Sequence, residues 1–435
     1  MRAQFTVILA LVSSLVTACA QQQDVLTGTR LTLDGDEVTD TTAENRAPAL
    51  GLPRAVTNTN WTHQARTPSH AVGHVALGET IAPQWAISIG QGNGRRNRIT
   101  SSPVVMDGTI YALDGYATVT AVSDTGVVAW SQDLTPNRSD AGQASGGGVA
   151  VGGDYVVATT GYGEAVGLNR STGDIIWRQD LVGFGGSAPT IYGGIVYVAS
   201  RDGAAWAIEA KTGKIRWQIF GAEKIATRSG GPGPLVTDRW AVFPFGTGEL
   251  RSTYRKGGLE RWSAIVTGGR RGPAVAQFQD ITGDPVLHGG TIYVGNSSGR
   301  MAAIDADDGG INWTAKRGVS DHIVVAGGSL FYLDDRGVLV RASRSTGADI
   351  WAHELPLYTT DKPNRRRGVH AHYGPILAGG QLYVASSDEN MRVFDPKSGE
   401  LLQTIPLDSA ATGSPVVAGG ALYVVTSDGQ LRAFR

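Results

Sequence analysis

Apolar and polar positions alternate with a period of two along most of the chain after residue 84, in short runs broken by glycine. The stretch Ile195 to Trp217 shows the unit. Val196-Tyr197-Val198 reads as a strand from its β-branched and aromatic content. Asp202-Gly203 predicts a tight turn, since glycine accepts the positive φ that hairpins need. Ala205 to Ile208 is the partner strand. Thr212-Gly213 turns the chain again, and Lys214 to Trp217 forms a third strand.

This unit repeats. A glycine stands four residues before a tryptophan at Gly126/Trp130, Gly173/Trp177, Gly213/Trp217, Gly258/Trp262, Gly309/Trp313 and Gly347/Trp351. Successive glycines lie 38 to 51 residues apart by subtraction, the period of propeller blades. A seventh copy keeps Gly399 but has Gln403 in place of the tryptophan. Upstream of each turn sits an aromatic strand: Tyr111, Tyr155, Tyr197, Trp240, Tyr293, Phe331-Tyr332, Tyr383 and Tyr423. That makes eight blades, of which the last ends at Arg435 one strand short. Gln84-Trp85-Ala86-Ile87 has the tryptophan but no strands before it, and is expected to supply the missing outer strand. The predicted fold is all-β: an eight-bladed β-propeller of four-stranded antiparallel blades, closed by an N-terminal strand, which removes open edges. Trp85, Trp130, Trp177, Trp217, Trp262, Trp313 and Trp351 are assigned to packing between blades.

Composition narrows the classes. Sixty of 435 residues are glycine, which suits many turns, while 41% hydrophobic residues speak against disorder. A formal net charge of −1 gives no global field for nucleic acid. The single cysteine, Cys19, rules out an intrachain disulfide and a four-cysteine metal site.

Residues 1–18 have signal-peptide form: Arg2, then an apolar run too short to span a bilayer. They end in Leu15-Val16-Thr17-Ala18-Cys19, which resembles the bacterial lipobox with Cys19 as the lipid-attachment residue. By resemblance to lipoprotein sorting, Ala20 favours the outer membrane, facing the periplasm. Residues 19–80 are expected to be a lipidated cysteine and a flexible tether, and 81–435 the propeller. Trp61, His63, His70 and His74 are exceptions within the polar tether, suited to docking its end on the ring.

The repeat V-Y-V-A-S-x-D-G-x-x-x-A-I-x-A-x-T-G-K-x-x-W resembles the PQQ-type β-propeller repeat over roughly residues 84 to 435. With a lipobox, a tether and eight such blades, the chain resembles the BamB family, propeller lipoproteins of the outer-membrane β-barrel assembly machinery. The resemblance implies a non-enzymatic scaffold that binds the periplasmic part of the barrel-inserting subunit, with nascent outer-membrane proteins as a further partner. In that family two neighbouring connections carry the partner surface. Their counterparts here are Ile225-Ala226-Thr227-Arg228 and Asp280-Ile281-Thr282, so the resemblance carries over to Ile225, Arg228 and Asp280. Thr227 and Thr282 depart from the family's pattern.

Two alternatives stay open on the residues alone: a PQQ-dependent periplasmic oxidoreductase and a ligand-binding propeller. The adjacent cysteines of the known quinone dehydrogenases are absent by count. Asp114, Asp202, Asp334, Asp335, Asp388 and Asp428 sit where hairpins favour aspartate. Asp305-Ala306-Asp307-Asp308-Gly309 coincides with a repeat turn and lacks the downstream glutamate of a calcium loop. His370 and His372, placed on one strand, would face one side as a channel lining. No catalytic residue, metal or cofactor is assigned. Arg95-Arg96-Asn97-Arg98, Arg270-Arg271 and Arg365-Arg366-Arg367 are basic clusters on connections, facing solvent, anionic lipid or an acidic partner.

Overall fold

The predicted alternation folds as antiparallel sheets. The computed structural model describes residues 49–181, 187–200, 203–221, 231–268, 280–362 and 365–435, all within the unit Ala43–Arg435. Cys19, Arg201-Asp202, Ile225, Arg228 and Arg270-Arg271 lie outside the described residues. Eight sheets follow one another along the chain and close as an eight-bladed β-propeller. The third blade is typical. Its strands Thr190–Tyr192, Ile195–Ala199, Ala204–Glu209 and Ile215–Phe220 pair in sequence order. The three strands read from the sequence are the second to fourth. The innermost, only three residues long, carries too little alternation to be seen.

The eight aromatic strands are the second strands of the eight blades, and their aromatic residues lie in the cores, except that Tyr155 is only partly buried against its core. Outer strands keep the exposed-buried alternation of a half-solvated sheet, as in Ile215–Phe220. Closure follows the expected route. Pro83–Ser88 pairs antiparallel with Gln430–Phe434 and becomes the outer strand of the eighth blade, with Trp85 opposite Ala433.

The glycine-to-tryptophan spacing links one blade to the next. Each outer strand that carries a tryptophan has a β-bulge just before it, as between Ile175 and Trp177. The indole then donates to a turn carbonyl of the following blade: Trp85 to Asp124, Trp130 to Arg170, Trp177 to Ala210, and so on to Trp351 and Pro396, at 2.7–3.3 Å. The ring covers that blade's motif glycine. Gln403 is now explained. The turn it would cover is missing, because the eighth blade's third strand ends at Phe434 and its outer strand comes from residue 83. A tryptophan there would have no glycine to pack on, and Gln403 is exposed.

The expected tether differs over its second part. From residue 49 the chain is laid against the ring rather than free of it. Trp61 is fully buried and forms a β-bridge with Val105 of the first blade. Thr62 accepts from Val151 of the second, Pro68 from Val236 of the fourth, and Ser69 from Leu287 of the fifth. His63 meets Ile191 of the third. Gly51 lies over Gly327 of the sixth. His74–Val75 adds a parallel strand to the seventh blade, and Asn58 accepts from Gly419 of the eighth. This segment therefore touches the inner part of every blade and caps the hub at the end bearing the first-to-second strand turns. Unpaired inner-strand N–H and C=O groups around a narrow hub need partners, and an irregular polar segment supplies them.

Candidate partner-binding face

Strand order fixes which segments share a face. Each blade runs antiparallel from inner to outer strand, so blade-to-blade connections and second-to-third strand turns share one face. First-to-second and third-to-fourth turns share the other. The hub cap of residues 49–75 is at the second face.

The two connections singled out by resemblance lie on the first face. Ile225 and Arg228 belong to the link between the third and fourth blades, and Asp280 to that between the fourth and fifth. The strands feeding these links end in large exposed apolar residues: Phe220 at 70% and Ile265 at 58% exposure. Sequence reading passed over both because each sits at the exposed phase of an ordinary strand. Arg251 braces the first of these strand ends, donating to the Phe220 carbonyl at 2.7 Å and lying 5.7 Å from the Phe245 ring centroid. Asp280 differs from the expectation. It is only 4% exposed and has interactions within the chain, so its carboxylate is not displayed at the surface. Thr282, a departure from the family pattern, hydrogen-bonds the Val319 carbonyl.

Beneath these links lies a buried polar network that sequence reading missed. In five blades a proline immediately precedes the inner strand, at Pro103, Pro189, Pro234, Pro285 and Pro415, and in the seventh Pro375 stands just before Ile376, where the ladder resumes after an irregularity. The strand registers align the residues before those prolines around the hub. They are small in six blades, but Asp284 and His322 occupy the position in the fifth and sixth. Asp284 accepts from the Gly233 N–H at 2.9 Å with one oxygen, while the other has no hydrogen-bond partner. Burial raises its pKa. His322 bridges Asp321 at 3.1 Å and the Pro375 carbonyl at 3.0 Å. Burial opposes charging both members, yet the mutual attraction wins, lowering the Asp321 pKa and raising that of His322. Asp321 also accepts from the Gly374 N–H and the Ser414 hydroxyl, so it ties three blades. The sequence signal was a repeat-position comparison that places His322 opposite small residues.

Two of the cap histidines, His63 and His70, are held neutral by burial. The His63 Nε2 lies 3.0 Å from the Ile191 N–H, and its Nδ1 lies 2.8 Å from the Thr62 hydroxyl. Burial, with the nearby His70 ring, pushes its pKa down to about 3. His70 lies 2.9 Å from the Pro285 carbonyl, and burial lowers its pKa too. His74 accepts from the Gly380 N–H at 2.9 Å.

The other candidates resolve as structure. Asp114 accepts from Gln91, Tyr116 and Thr118 N–H groups, holding a turn. Asp305 accepts from Asp307 and Asp308 N–H groups. Asp388 pairs with Arg392 and Asp428 with Arg432. Only His372 lies on a strand, against the expectation for the 370/372 pair. It contacts the Ser386 hydroxyl and the Pro356 carbonyl, and burial lowers its pKa to about 4. Among the described residues no three His, Cys, Asp or Glu side chains gather to hold a metal ion.

The family model described as "Outer membrane protein assembly factor BamB" matches residues 115–353 and 360–435. Curated relatives of that name include one from Moranella endobia, 22% identical over 74% of this chain and 84% of its own. Another, from Shewanella oneidensis, is 25% identical over 77% of this chain and 84% of its own. Among solved structures, BamB from Moraxella catarrhalis superposes with a TM-score of 0.68 at 18% identity, covering 82% of this chain and all (100%) of that one. A quinohemoprotein alcohol dehydrogenase from Pseudomonas putida HK5 gives 0.63 at 13% identity, covering 87% and 80%, a likeness of fold alone.

Proposed function

We propose that this chain, which belongs to the outer membrane protein assembly factor BamB family, is a non-enzymatic scaffold subunit of the outer-membrane β-barrel assembly machinery. It holds the periplasmic part of the barrel-inserting subunit through the links between the third, fourth and fifth blades. The observation that carries this reading is the exposed pair Phe220 and Ile265 at the roots of those two links. Arginine and large apolar side chains are the residue types that make interface hot spots: Arg228, in the first link by sequence, offers a planar donor fork, and Phe220 offers area to bury. Asp280, being buried, acts as a support for its link. Cys19 carries the lipid that keeps the propeller at the outer membrane, facing the periplasm.

Turn and ion-pair roles already occupy Asp114, Asp305, Asp388 and Asp428, and the fold likeness to a quinohemoprotein carries no chemistry at 13% identity. The test is recovery of the barrel-inserting subunit from detergent-solubilised envelopes with tagged chain. Phe220→Asp with Ile265→Asp is expected to abolish recovery while leaving the melting temperature close to wild type. Full recovery would remove the assignment.

A further inference from the structure

Most arginines on the blades are answered by a carboxylate. Arg170 pairs with Asp107, Arg178 with Glu164, and Arg317 with Asp334 and Asp349. Two connections break that habit. Arg95, Arg96 and Arg98, between the eighth and first blades, and Arg365, Arg366 and Arg367, between the sixth and seventh, are all exposed. Among the described residues none of the six pairs with a carboxylate. Both links lie on the connection face, two blades apart.

The second cluster is mounted on a small ordered stem. Tyr358 bridges Val369 as an antiparallel pair, His370 donates to the Leu357 carbonyl at 2.8 Å, and Thr359 to the Gly368 carbonyl at 3.1 Å. The Arg366 guanidinium lies 4.7 Å from the Tyr358 ring centroid. Val369 is 63% exposed and Tyr358 40%. Arginine, an aromatic ring and an aliphatic side chain at one exposed site is the composition that settles at a lipid headgroup boundary.

We propose that these two arginine clusters form a docking surface for anionic phospholipid headgroups. A planar array of phosphates meets both clusters at once, because they stand on one face two blades apart. A short acidic peptide would meet one of them. Guanidinium groups bind phosphate oxygens in pairs, and the apolar tip of the stem enters the boundary region beside them. This surface lies around the ring from the links assigned to protein binding.

The test uses residues 20–435, so that neither the apolar signal segment nor a covalent lipid contributes. Co-sedimentation is measured with vesicles of phosphatidylcholine alone, and with phosphatidylcholine and phosphatidylglycerol at three to one. The expected result is binding to the anionic vesicles only, weakening with added salt as surface charges are screened. Arg365→Glu/Arg366→Glu/Arg367→Glu and, separately, Arg95→Glu/Arg96→Glu/Arg98→Glu should each lower partitioning by about tenfold or more. All six side chains are exposed, so unchanged melting temperatures are expected. Equal binding to neutral vesicles, wild-type binding by both variants, or binding of polyglutamate but not of anionic vesicles would overturn the proposal.

Discussion

The Trp177 indole donates to the Ala210 carbonyl at 2.7 Å, and a Cβ on Gly213 would lie 2.8 Å from its ring. Gly213 also has φ of +72°, where a side chain is strained. The glycine and the tryptophan of neighbouring motifs are thus one contact, seen from two blades. Gly213→Ala should cost at least about 1–3 kcal/mol, from backbone strain and the displaced ring. Trp177→Ala should cost about 3–5 kcal/mol. In the double variant the steric part disappears, so the losses should add to less than their sum. Urea unfolding of the three variants measures this.

Gln403→Trp tests the explanation for the degenerate motif. With no following turn to cover, the new ring stays in solvent, and stability should change by less than about 0.5 kcal/mol. A gain of the size lost at Trp177 would mean that a partner turn exists.

Trp61 separates a docked segment from a free tether. It is fully buried against the first blade, so Trp61→Ala should lower stability by about 3–5 kcal/mol. A free tether would leave the unfolding midpoint where it was.

The cap also sets a pH dependence. His63 is held neutral when folded, with its pKa lowered from 6.5 to about 3. Below pH 6.5 the unfolded chain takes up this proton and the folded chain does not. Its contribution is therefore complete above 6.5 and is lost progressively as the pH falls toward 3, by up to about 4–5 kcal/mol. His63→Gln should be less stable at neutral pH but lose less between pH 6.5 and 4. Unfolding midpoints of both proteins across that range check the sign.

What was legible in the sequence follows from periodicity. The eight second strands, the closing strand at Trp85 and the motif turns all carry strong alternation or a glycine at fixed spacing. The innermost strands are short and buried on both sides, so alternation is lost in Val104–Met106 or Val416–Ala418. The hub cap has no period because its polar groups answer eight differently placed strands, and only its isolated rings, Trp61, His63, His70 and His74, marked it. Asp284 and His322 escaped notice because their meaning lies in a ring position that the register reveals. For the proposed partner surface, the resemblance pointed to Arg228, which lies outside the described residues. Phe220 and Ile265 needed exposure to be told apart from every other strand end.

The central claim is that the links between the third and fifth blades hold the barrel-inserting subunit. Site-specific photo-crosslinking in living cells tests it most directly, with the probe at position 228 or at the exposed Asp174 on the opposite face. The account predicts a crosslink to the barrel-inserting subunit from position 228 and none from 174. A crosslink from 174 with silence at 228 would contradict it.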